Sequence, residues 1–272
     1  MPELPEVETT IRGLRPIVGS TILKVKIHTP KLRIFIPKNI LYIERTKIIN
    51  IKRRGKFIII NLNNKFSIII HLGMSGRIRL LNNIDFQKKK HDHFVFNTSN
   101  DLLVVFNDVR KFGFVDYHKT IDLKKIKYFM ILGKEALGNQ LSHQYFFFKI
   151  RNSIVPIKQI LLDQRIIAGI GNIYASEILF DAKVSPFEKG VDIDLYQCKK
   201  IIISTKKILK KAIKYGGSSL RDYVATDGTI GNFQNNFQVY NREGEKILGK
   251  VVKKTVQYGR STYYCPELQK KK

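Results

Sequence analysis

The period of the apolar residues changes along this chain, and that change limits the possible folds more than any other feature. In the first half, Leu23, Val25 and Ile27 alternate with polar residues, which is the period of a half-buried strand. Further β-rich runs follow with no helical pattern between them: Lys56–Leu62, Phe66–Leu72, Phe94–Phe96, Leu102–Phe106 and Phe114–Tyr117. Several short strands in series predict an antiparallel β-sandwich.

Helical patterns lie on both sides of these strands. A short amphipathic helix is predicted before them, from Glu6 to Leu14. From Leu195 onward, apolar or small residues recur every three or four positions while most lysines lie elsewhere on the helix, and Gly216-Gly217 ends the pattern. Cys198 lies on the apolar face and is predicted to be a core residue.

The tail returns to alternation at Phe237–Tyr240 and Val251–Val256, which predicts an appended hairpin. The predicted fold class is therefore α+β, and 272 residues suffice for two domains with separate cores. The expected boundaries are a sandwich domain over 1–121, a linker over 122–138, a helical domain over 139–234 and a hairpin tail over 235–272.

The charge predicts a polyanionic partner. Lys and Arg number 49 against 22 Asp and Glu, which gives a net charge of +27 and favours nucleic acid or an acidic membrane surface. Apolar runs are far shorter than the ~18 residues that suggest a membrane span. We expect neither a membrane partner nor a signal peptide.

Cys198 and Cys265 are the only cysteines, which favours a reducing cytoplasm over a disulfide framework.

The first residues, Met1-Pro2-Glu3, offer a nucleophile. Removal of Met1 would leave Pro2 as a secondary amine, and an α-amino group has a pKa about two units below that of lysine. Its attack on an anomeric carbon forms an iminium that acts as an electron sink, and Glu3 could protonate the ring oxygen. The alternative is that Pro2 or Pro5 merely begins a helix with acidic residues at its positive end.

Seven ordered motifs resemble formamidopyrimidine-DNA glycosylases, bacterial enzymes that remove oxidised purines from DNA. The resemblance runs from Pro2 to Cys265. The motifs are Pro2-Glu3-Leu4-Pro5-Glu6-Val7-Glu8-Thr9, Arg53-Arg54-Gly55-Lys56, His71-Leu72-Gly73-Met74-Ser75-Gly76, Lys90-His91-Asp92-His93, Arg110-Lys111-Phe112-Gly113, Asp163-Gln164 with Gly169-Ile170-Gly171-Asn172-Ile173-Tyr174, and Arg260-Ser261-Thr262-Tyr263-Tyr264-Cys265.

The resemblance implies four catalytic residues. Pro2 would be the nucleophile, Glu3 the general acid, Lys56 a participant in β-elimination and Arg260 a minor-groove contact that also serves δ-elimination. For Lys56, a solvated basic turn is an open alternative. Glu6 matches an acidic position near the lesion pocket, or is a solvated helix carboxylate.

A second set is implied to contact DNA. Met74, Arg110 and Phe112 match a trio that fills the void left by a flipped base, although core packing is the usual role of Met and Phe in β-rich segments. His71, His91 and Arg110 match DNA-contacting positions. We expect no metal at His91-Asp92-His93, because no third ligand is evident. Val109 replaces a proline that is common in the family, which is expected to loosen its loop.

Ile157–Glu177 matches the helix-two-turn-helix element of the family. Gly169, Gly171 and Asn172 would form a phosphate site, with Lys158 and Arg151 as further cations; the alternative is an ordinary glycine-bearing helix cap. The segment Gly217–Gly231 resembles a loop that covers the flipped base, or is a mobile connector.

The tail departs from the resemblance. Family members commonly carry four zinc-binding cysteines there, whereas only Cys265 occupies such a position and Leu268 stands where the fourth would be. One thiolate cannot form a closed structural zinc site. We therefore expect a zinc-free hairpin finger and no cofactor.

The function implied is a bifunctional DNA glycosylase and AP lyase of base excision repair. It would act as a monomer on damaged double-stranded DNA, in the bacterial cytoplasm at the nucleoid. Two alternatives stay open: an endonuclease VIII-like enzyme for oxidised pyrimidines, and a non-catalytic protein that binds damaged DNA. A generic basic nucleic-acid binder would explain the charge alone.

Overall fold

The alternating residues of the first half form antiparallel sheets. The computed structural model describes residues 1–82, 84, 86–219, 226 and 231–270. They belong to two units, the first comprising Met1–Met130 and Tyr215–Asn232, the second Ile131–Lys214 and Phe233–Lys272. The helices and strands of the first unit are α1 Leu4–Gly13, β1 Ile22–Ile27, β2 Ile48–Arg54, β3 Phe57–Leu62, β4 Phe66–His71, β5 Arg77–Asn82, β6 Asp92–Thr98, β7 Leu102–Asn107, β8 Phe114–Lys119 and α2 Lys127–Met130.

Among the described residues of this unit, the strands form two four-stranded sheets. Their orders are β1-β6-β7-β5 and β2-β3-β4-β8, with every neighbour antiparallel. Apolar side chains from both sheets, such as Phe94, Phe106, Ile58 and Ile70, share one buried cluster. The predicted antiparallel sandwich is confirmed.

Helix α1 begins earlier than its sequence pattern indicates. Leu4, Val7 and Ile11 form one buried stripe at helical spacing, and the helix packs against β2 and β3. Pro5 lies in the first turn, where its missing N–H costs no hydrogen bond. The helix therefore starts at Leu4 rather than Glu6.

The second unit contains the helical half and the tail. Its elements are β9 Lys134–Glu135, α3 His143–Ile150, α4 Ile157–Leu162, β10 Ile167–Ala168, α5 Asn172–Asp181, α6 Leu195–Lys214, β11 Lys246–Ile247, β12 Lys250–Val251, β13 Lys253–Gln257 and β14 Arg260–Tyr264. Helix α5 packs against α4, α6 and β14.

The predicted helix from Leu195 is confirmed, and Cys198 is buried on its apolar face. Burial, with a smaller contribution from Asp194, raises the pKa of the Cys198 thiol to about 12.

The strand predicted at Phe237–Tyr240 is wrong. These residues follow a 3-10 turn at Phe233–Asn236 and form no strand. The physical reason is the Glu177 carboxylate, which accepts the N–H groups of Gln238, Val239 and Tyr240 at 2.8, 2.9 and 2.8 Å. A buried side chain thus takes the donors that a partner strand would have taken. The hairpin itself is present as β13 and β14.

Two predictions are not settled by these elements. The predicted linker 122–138 contains α2, β9 and part of a 3-10 turn at Thr120–Lys125, and the predicted domain boundaries stay a prediction. Of the predicted lesion-covering segment Gly217–Gly231, residues 220–225 and 227–230 lie outside the described residues.

Across the described ranges, none of the helices combines the length and the apolar character that a membrane crossing requires.

Candidate functional site

The predicted nucleophile and acid lie at the start of α1. Pro2 and Glu3 are buried, whereas Met1 is 55% exposed. Oε2 of Glu6 accepts the Glu3 N–H at 2.8 Å. Its Oε1 accepts the N–H and hydroxyl of Ser218 at 2.8 and 3.1 Å. Glu6 is 1% exposed, so it is not a solvated helix carboxylate; it fixes the start of the chain.

Lys56 lies in a tight turn between β2 and β3. Arg54 pairs with Phe57, and Gly55 has a φ of 55° at the first central position, which suits a two-residue hairpin turn. Arg53 braces this turn against α1, since its Nε donates to Glu8 at 3.0 Å and its guanidinium also donates to the Gly55 carbonyl at 3.0 Å. Lys56 is 7% exposed, which does not fit a solvated basic turn.

His71 ends β4 beside this turn. Its ring stacks on Phe114 with centroids 5.5 Å apart, and Nδ1 accepts the Gly73 N–H at 3.1 Å. Burial, followed by the positive charges of Lys56 and Arg33, lowers the pKa of His71 to about 4. The ring is therefore neutral at pH 7. With Nδ1 accepting, the proton lies on Nε2, which can donate to an acceptor such as a DNA oxygen.

The predicted void-filling side chains lie on two loops of the first unit. Met74 and Phe112 are 39% and 45% exposed, so core packing does not describe them. The Arg110 guanidinium lies 4.9 Å from the centre of the Phe112 ring. The loops touch through their backbones, because a Cβ added at Gly73 would lie 2.3 Å from the Gly113 nitrogen. Exposed apolar side chains thus stand next to a cation.

The two histidines of the His91-Asp92-His93 motif have different surroundings. His91 lies in the turn before β6 rather than in the strand, and its ring centre is 6.4 Å from that of His93. The His93 nitrogens are both hydrogen-bonded, Nδ1 to the Thr29 hydroxyl and Nε2 to the Asp108 carbonyl, each at 2.8 Å. The described residues contain no group of three or more ligating side chains placed to hold a metal ion.

Asp92 fixes the turn that carries His91. Its carboxylate accepts from the Arg79 guanidinium at 2.7 and 2.8 Å, from the Asn107 amide at 2.8 Å and from the Lys89 N–H at 2.8 Å. Burial opposes ionisation of Asp92, but these hydrogen bonds outweigh it and lower the pKa. The ionised Asp92 carboxylate therefore stabilises the turn that contains His91.

In the second unit, the predicted phosphate site lies at the start of α5. Gly169 has a φ of 110°, which favours glycine. Gln164 braces this loop, since Oε1 accepts the Gly169 N–H at 2.8 Å and Nε2 donates to the Ile170 carbonyl at 2.7 Å. Asn172 donates its side-chain amide to the Ser261 carbonyl at 3.0 Å. Gln164 was not predicted as a site residue, although Asp163-Gln164 belongs to the same sequence motif as Gly169.

The predicted cations differ from each other. Arg151 is exposed at the end of α3, with its guanidinium 4.6 Å from the Phe148 ring centre. Lys158 is fully buried, and its ammonium donates to the Ser261 carbonyl and the Thr262 hydroxyl, both at 2.8 Å. This burial does not fit the predicted phosphate contact of Lys158. Its charge instead anchors strand β14.

Arg260 begins β14 and is exposed. The turn before it consists of Tyr258 and Gly259, whose φ values are 49° and 71°. Two central residues with positive φ are what a type I′ hairpin turn requires. This tight turn, together with the Lys158 anchor on Ser261 and Thr262, fixes the strand that bears the arginine.

The residues around Cys265 do not fit the zinc site of the family. Cys265 is fully buried, and its cluster is otherwise made of apolar and aromatic side chains: Phe180, Val239, Ile247, Val252 and Tyr263, with Tyr240 and Leu268 against them. A structural zinc ion needs four ligands, and among the described residues of this cluster only Cys265 is of the required type.

Polar contacts complete this small finger. Gln269 accepts the Cys265 N–H at 2.8 Å and donates to the Val184 carbonyl at 2.9 Å. Lys250 and Glu267 form an exposed ion pair at 2.7 Å. Apolar packing and side-chain hydrogen bonds thus hold together the region where the resemblance implied a zinc site.

Family comparisons agree with the motifs. Residues 1–115 match the formamidopyrimidine-DNA glycosylase N-terminal domain, and residues 132–224 match the formamidopyrimidine-DNA glycosylase H2TH domain. Formamidopyrimidine-DNA glycosylases from Rickettsia bellii and Dinoroseobacter shibae are 43% and 40% identical to this chain, each covering 99% of this chain and 100% of the relative.

Solved structures give the same result. The Lactococcus lactis enzyme, as a point mutant in complex with a Fapy-dG containing DNA, matches with a TM-score of 0.91 and 36% identity over 99% of this chain and 100% of that one. Its complex with an abasic site containing DNA matches with a TM-score of 0.91 and 35% identity at the same coverage. On its sequence, its sandwich and its helical unit, the chain belongs to the formamidopyrimidine-DNA glycosylase family.

Proposed function

We propose that the protein is a bifunctional DNA glycosylase and AP lyase that removes oxidised purines, formamidopyrimidines and 8-oxoguanine, from duplex DNA. The observation that carries this proposal is the pair of touching loops with exposed Met74 and Phe112 beside Arg110. Apolar side chains exposed on a protein of net charge +27 suit insertion into a base stack. The names and bound DNA of the relatives support the same substrate class.

The proposed chemistry starts at Pro2. After removal of Met1, the Pro2 nitrogen attacks C1′ of the lesion nucleotide, the glycosidic bond breaks and the base leaves with its electron pair. Glu3 protonates the sugar ring oxygen, and ring opening gives an iminium. Loss of the C2′ proton then expels the 3′ phosphate, with Lys56 holding that phosphate. Loss of a further sugar proton expels the 5′ phosphate, a step assigned to Arg260.

DNA contacts are proposed for His71, His91, Arg110, Arg151 and Asn172. His71 is suited to donate through Nε2, because its lowered pKa keeps the ring neutral. For Asn172 we assign a contact through its backbone N–H at the start of α5, since its side-chain amide is already bonded to Ser261. We further propose a monomer that binds one duplex, which sedimentation of the protein with DNA would check.

Borohydride trapping tests the chemistry. The mature protein, with Met1 removal verified by intact mass, should form a covalent adduct with an 8-oxoguanine duplex, whereas protein that retains Met1 should not, because its Pro2 nitrogen is an amide and cannot form an iminium. Absence of an adduct with the wild-type protein, in conditions where a known lyase is trapped, would refute the proposal. Retention of Met1 would favour a protein that binds damaged DNA without cutting it.

The substrate branch has its own test. An endonuclease VIII-like enzyme would cut a thymine glycol duplex faster than an 8-oxoguanine duplex of the same sequence. We expect the reverse order, and cutting rates on the two duplexes at equal enzyme concentration decide between them.

We also propose that the finger holds no zinc. The apolar surroundings of Cys265 support this. Elemental analysis of protein purified from zinc-supplemented cells should find well below one zinc per chain, and a chelator should leave the unfolding temperature unchanged. A stoichiometric zinc content that falls on mutation of Cys265→Ser would contradict it.

A further inference from the structure

Asp108 is a buried carboxylate next to the predicted DNA-contacting loops. It follows β7, at the start of the loop that leads through Arg110 and Phe112 to β8, and its side chain is fully buried. It cannot touch DNA in this position. The Asp108 side chain therefore forms its hydrogen bonds with other groups of the protein.

Both carboxylate oxygens of Asp108 hold loop backbone or side chains. Oδ1 accepts the Ser75 hydroxyl at 2.6 Å and the Arg110 N–H at 3.2 Å. Oδ2 accepts the Gly113 N–H at 2.8 Å. The Ser75 oxygen also accepts the Arg110 N–H, at 3.0 Å. One carboxylate thus ties the two ends of the Arg110–Gly113 segment to Ser75, the neighbour of Met74.

The backbone of Asp108 reaches a third segment. Its N–H donates to the His91 carbonyl at 3.1 Å, and its carbonyl accepts from Nε2 of His93 at 2.8 Å. The turn that carries His91 is therefore joined to the same residue.

The two loops lie so close together that the single side chain of Asp108 can bond to both. A Cβ added at Gly113 would lie 2.6 Å from the His71 carbonyl oxygen and 3.1 Å from Oδ2 of Asp108. The backbones are packed against each other with no room for a side chain. Within the segment, Lys111 adopts a φ of 54°, which turns the chain between Arg110 and Phe112.

We infer that Asp108 is a positioning residue that couples the Met74 loop to the Arg110–Gly113 segment, so that Met74, Arg110 and Phe112 enter the duplex as one unit. This inference rests on the proposed function. Substrates from which a base must be extruded should depend on this coupling, because the inserted side chains stabilise the emptied stack. An abasic site, which presents no base to extrude, should depend on it much less.

The test is Asp108→Asn. The amide keeps the shape of the side chain but places an NH2 group against one of the three donors. We expect kcat/KM on an 8-oxoguanine duplex to fall on the order of 10- to 100-fold, and cleavage of the same duplex with an abasic site to fall less than about threefold. A 2-aminopurine base beside the lesion should report insertion by its fluorescence, and this signal should slow by the same factor as 8-oxoguanine excision.

A second variant guards against misfolding. Ser75→Ala removes the hydroxyl bridge alone, and it should lower 8-oxoguanine excision in the same selective way. Its effect should not add to that of Asp108→Asn, because both break one network. If Asp108→Asn does not fold, the selectivity of Ser75→Ala decides the question.

Asp116→Asn is the matched control. This carboxylate lies on β8 and bonds to His118 and Tyr128, outside both loops, so its loss should change the two activities equally. Equal losses on both substrates with Asp108→Asn, or no loss on either, would overturn the coupling while the proposed function stands. A wild-type protein inert on both duplexes would overturn the proposed function and this inference with it.

Discussion

The sandwich and the finger hold their predicted DNA-contacting residues by different means. In the first unit, the loops of Met74 and Phe112 extend from sheets that enclose a large apolar core. The finger has six buried members in its cluster among the described residues. Its backbone is fixed by the side chains of Lys158 and Glu177, which lie on α4 and α5, and by Gln269 of the tail itself. Where little apolar area is buried, the backbone conformation depends more on hydrogen bonds from single polar side chains.

The largest expected effect is at Glu177. Glu177→Ala removes the acceptor of three successive N–H groups, at residues 238–240, of which the Val239 N–H is buried and the other two are partly buried. Each such loss costs roughly 1–3 kcal/mol, so we expect the second unit to lose about 4 kcal/mol of its free energy of unfolding. Hydrogen exchange should show the loss of protection at Gln238, Val239 and Tyr240 first.

Asp181→Ala is the control for this substitution on the same helix. Its carboxylate bonds to Ser204 and Lys207 near the surface, and it holds no backbone N–H of the finger. We expect less than about 1 kcal/mol. Similar losses for the two variants would mean that the finger does not depend on buried polar anchors.

Acid should act on the first unit through His71. Its folded pKa of about 4 lies below the unfolded value of 6.5, so the unfolded chain binds a proton that the folded chain excludes. Stability should therefore rise with pH between about 4 and 6.5, by up to about 3 kcal/mol, and level off above that. Denaturant unfolding of wild type and His71→Phe across this range checks it, and an unchanged slope in the variant would contradict it.

Lys158→Met should weaken the finger without weakening the sandwich. The substitution removes the buried ammonium from the Thr262 hydroxyl and from the Ser261 carbonyl, which keeps only the Asn172 amide as a donor, at a cost of about 2 kcal/mol. Because Arg260 begins the same strand, product gels should show β-elimination product accumulating over δ-elimination product. Lys158→Arg should restore the product ratio in part. A uniform fall in both steps would argue for a direct phosphate contact instead.

The smallest effect is expected at the exposed pair of Lys250 and Glu267. Both side chains are about half exposed, so solvent screens their attraction. Lys250→Ala should leave the unfolding midpoint of the second unit unchanged. A clear loss there would show that surface charge, rather than buried contacts, stabilises the finger.

The sequence predicted the elements whose apolar residues are periodic. The strands of the sandwich and helix α6 follow from alternation and from helical spacing, which are local properties. The alternation at Phe237–Tyr240 predicted a strand that is absent, because Glu177, some sixty residues earlier, accepts the backbone N–H groups that a strand would use. A local pattern carries no information about such a distant acceptor.

Some residues of the candidate site could be predicted from local sequence motifs, and others could be assigned only from the fold. Motif order identified Pro2, Lys56 and the exposed loop residues, since these follow one another in register. It could not separate Arg151 from Lys158, because both are cations near the same motif and only the fold shows that one is exposed and the other buried. Asp108 was missed, although it stands two residues before Arg110, because its partners come from three separate segments.

The full burial of Cys265 bears on survival under oxidative stress, the condition in which oxidised bases arise. Oxidants attack exposed thiolates first, and a thiolate-bound zinc ion is released when its ligands are oxidised. The zinc-free finger proposed above, which is held by one enclosed thiol, apolar contacts and the Gln269 amide, would lack such a trigger. The repair protein would then keep its shape under the same chemical insult that creates its substrates.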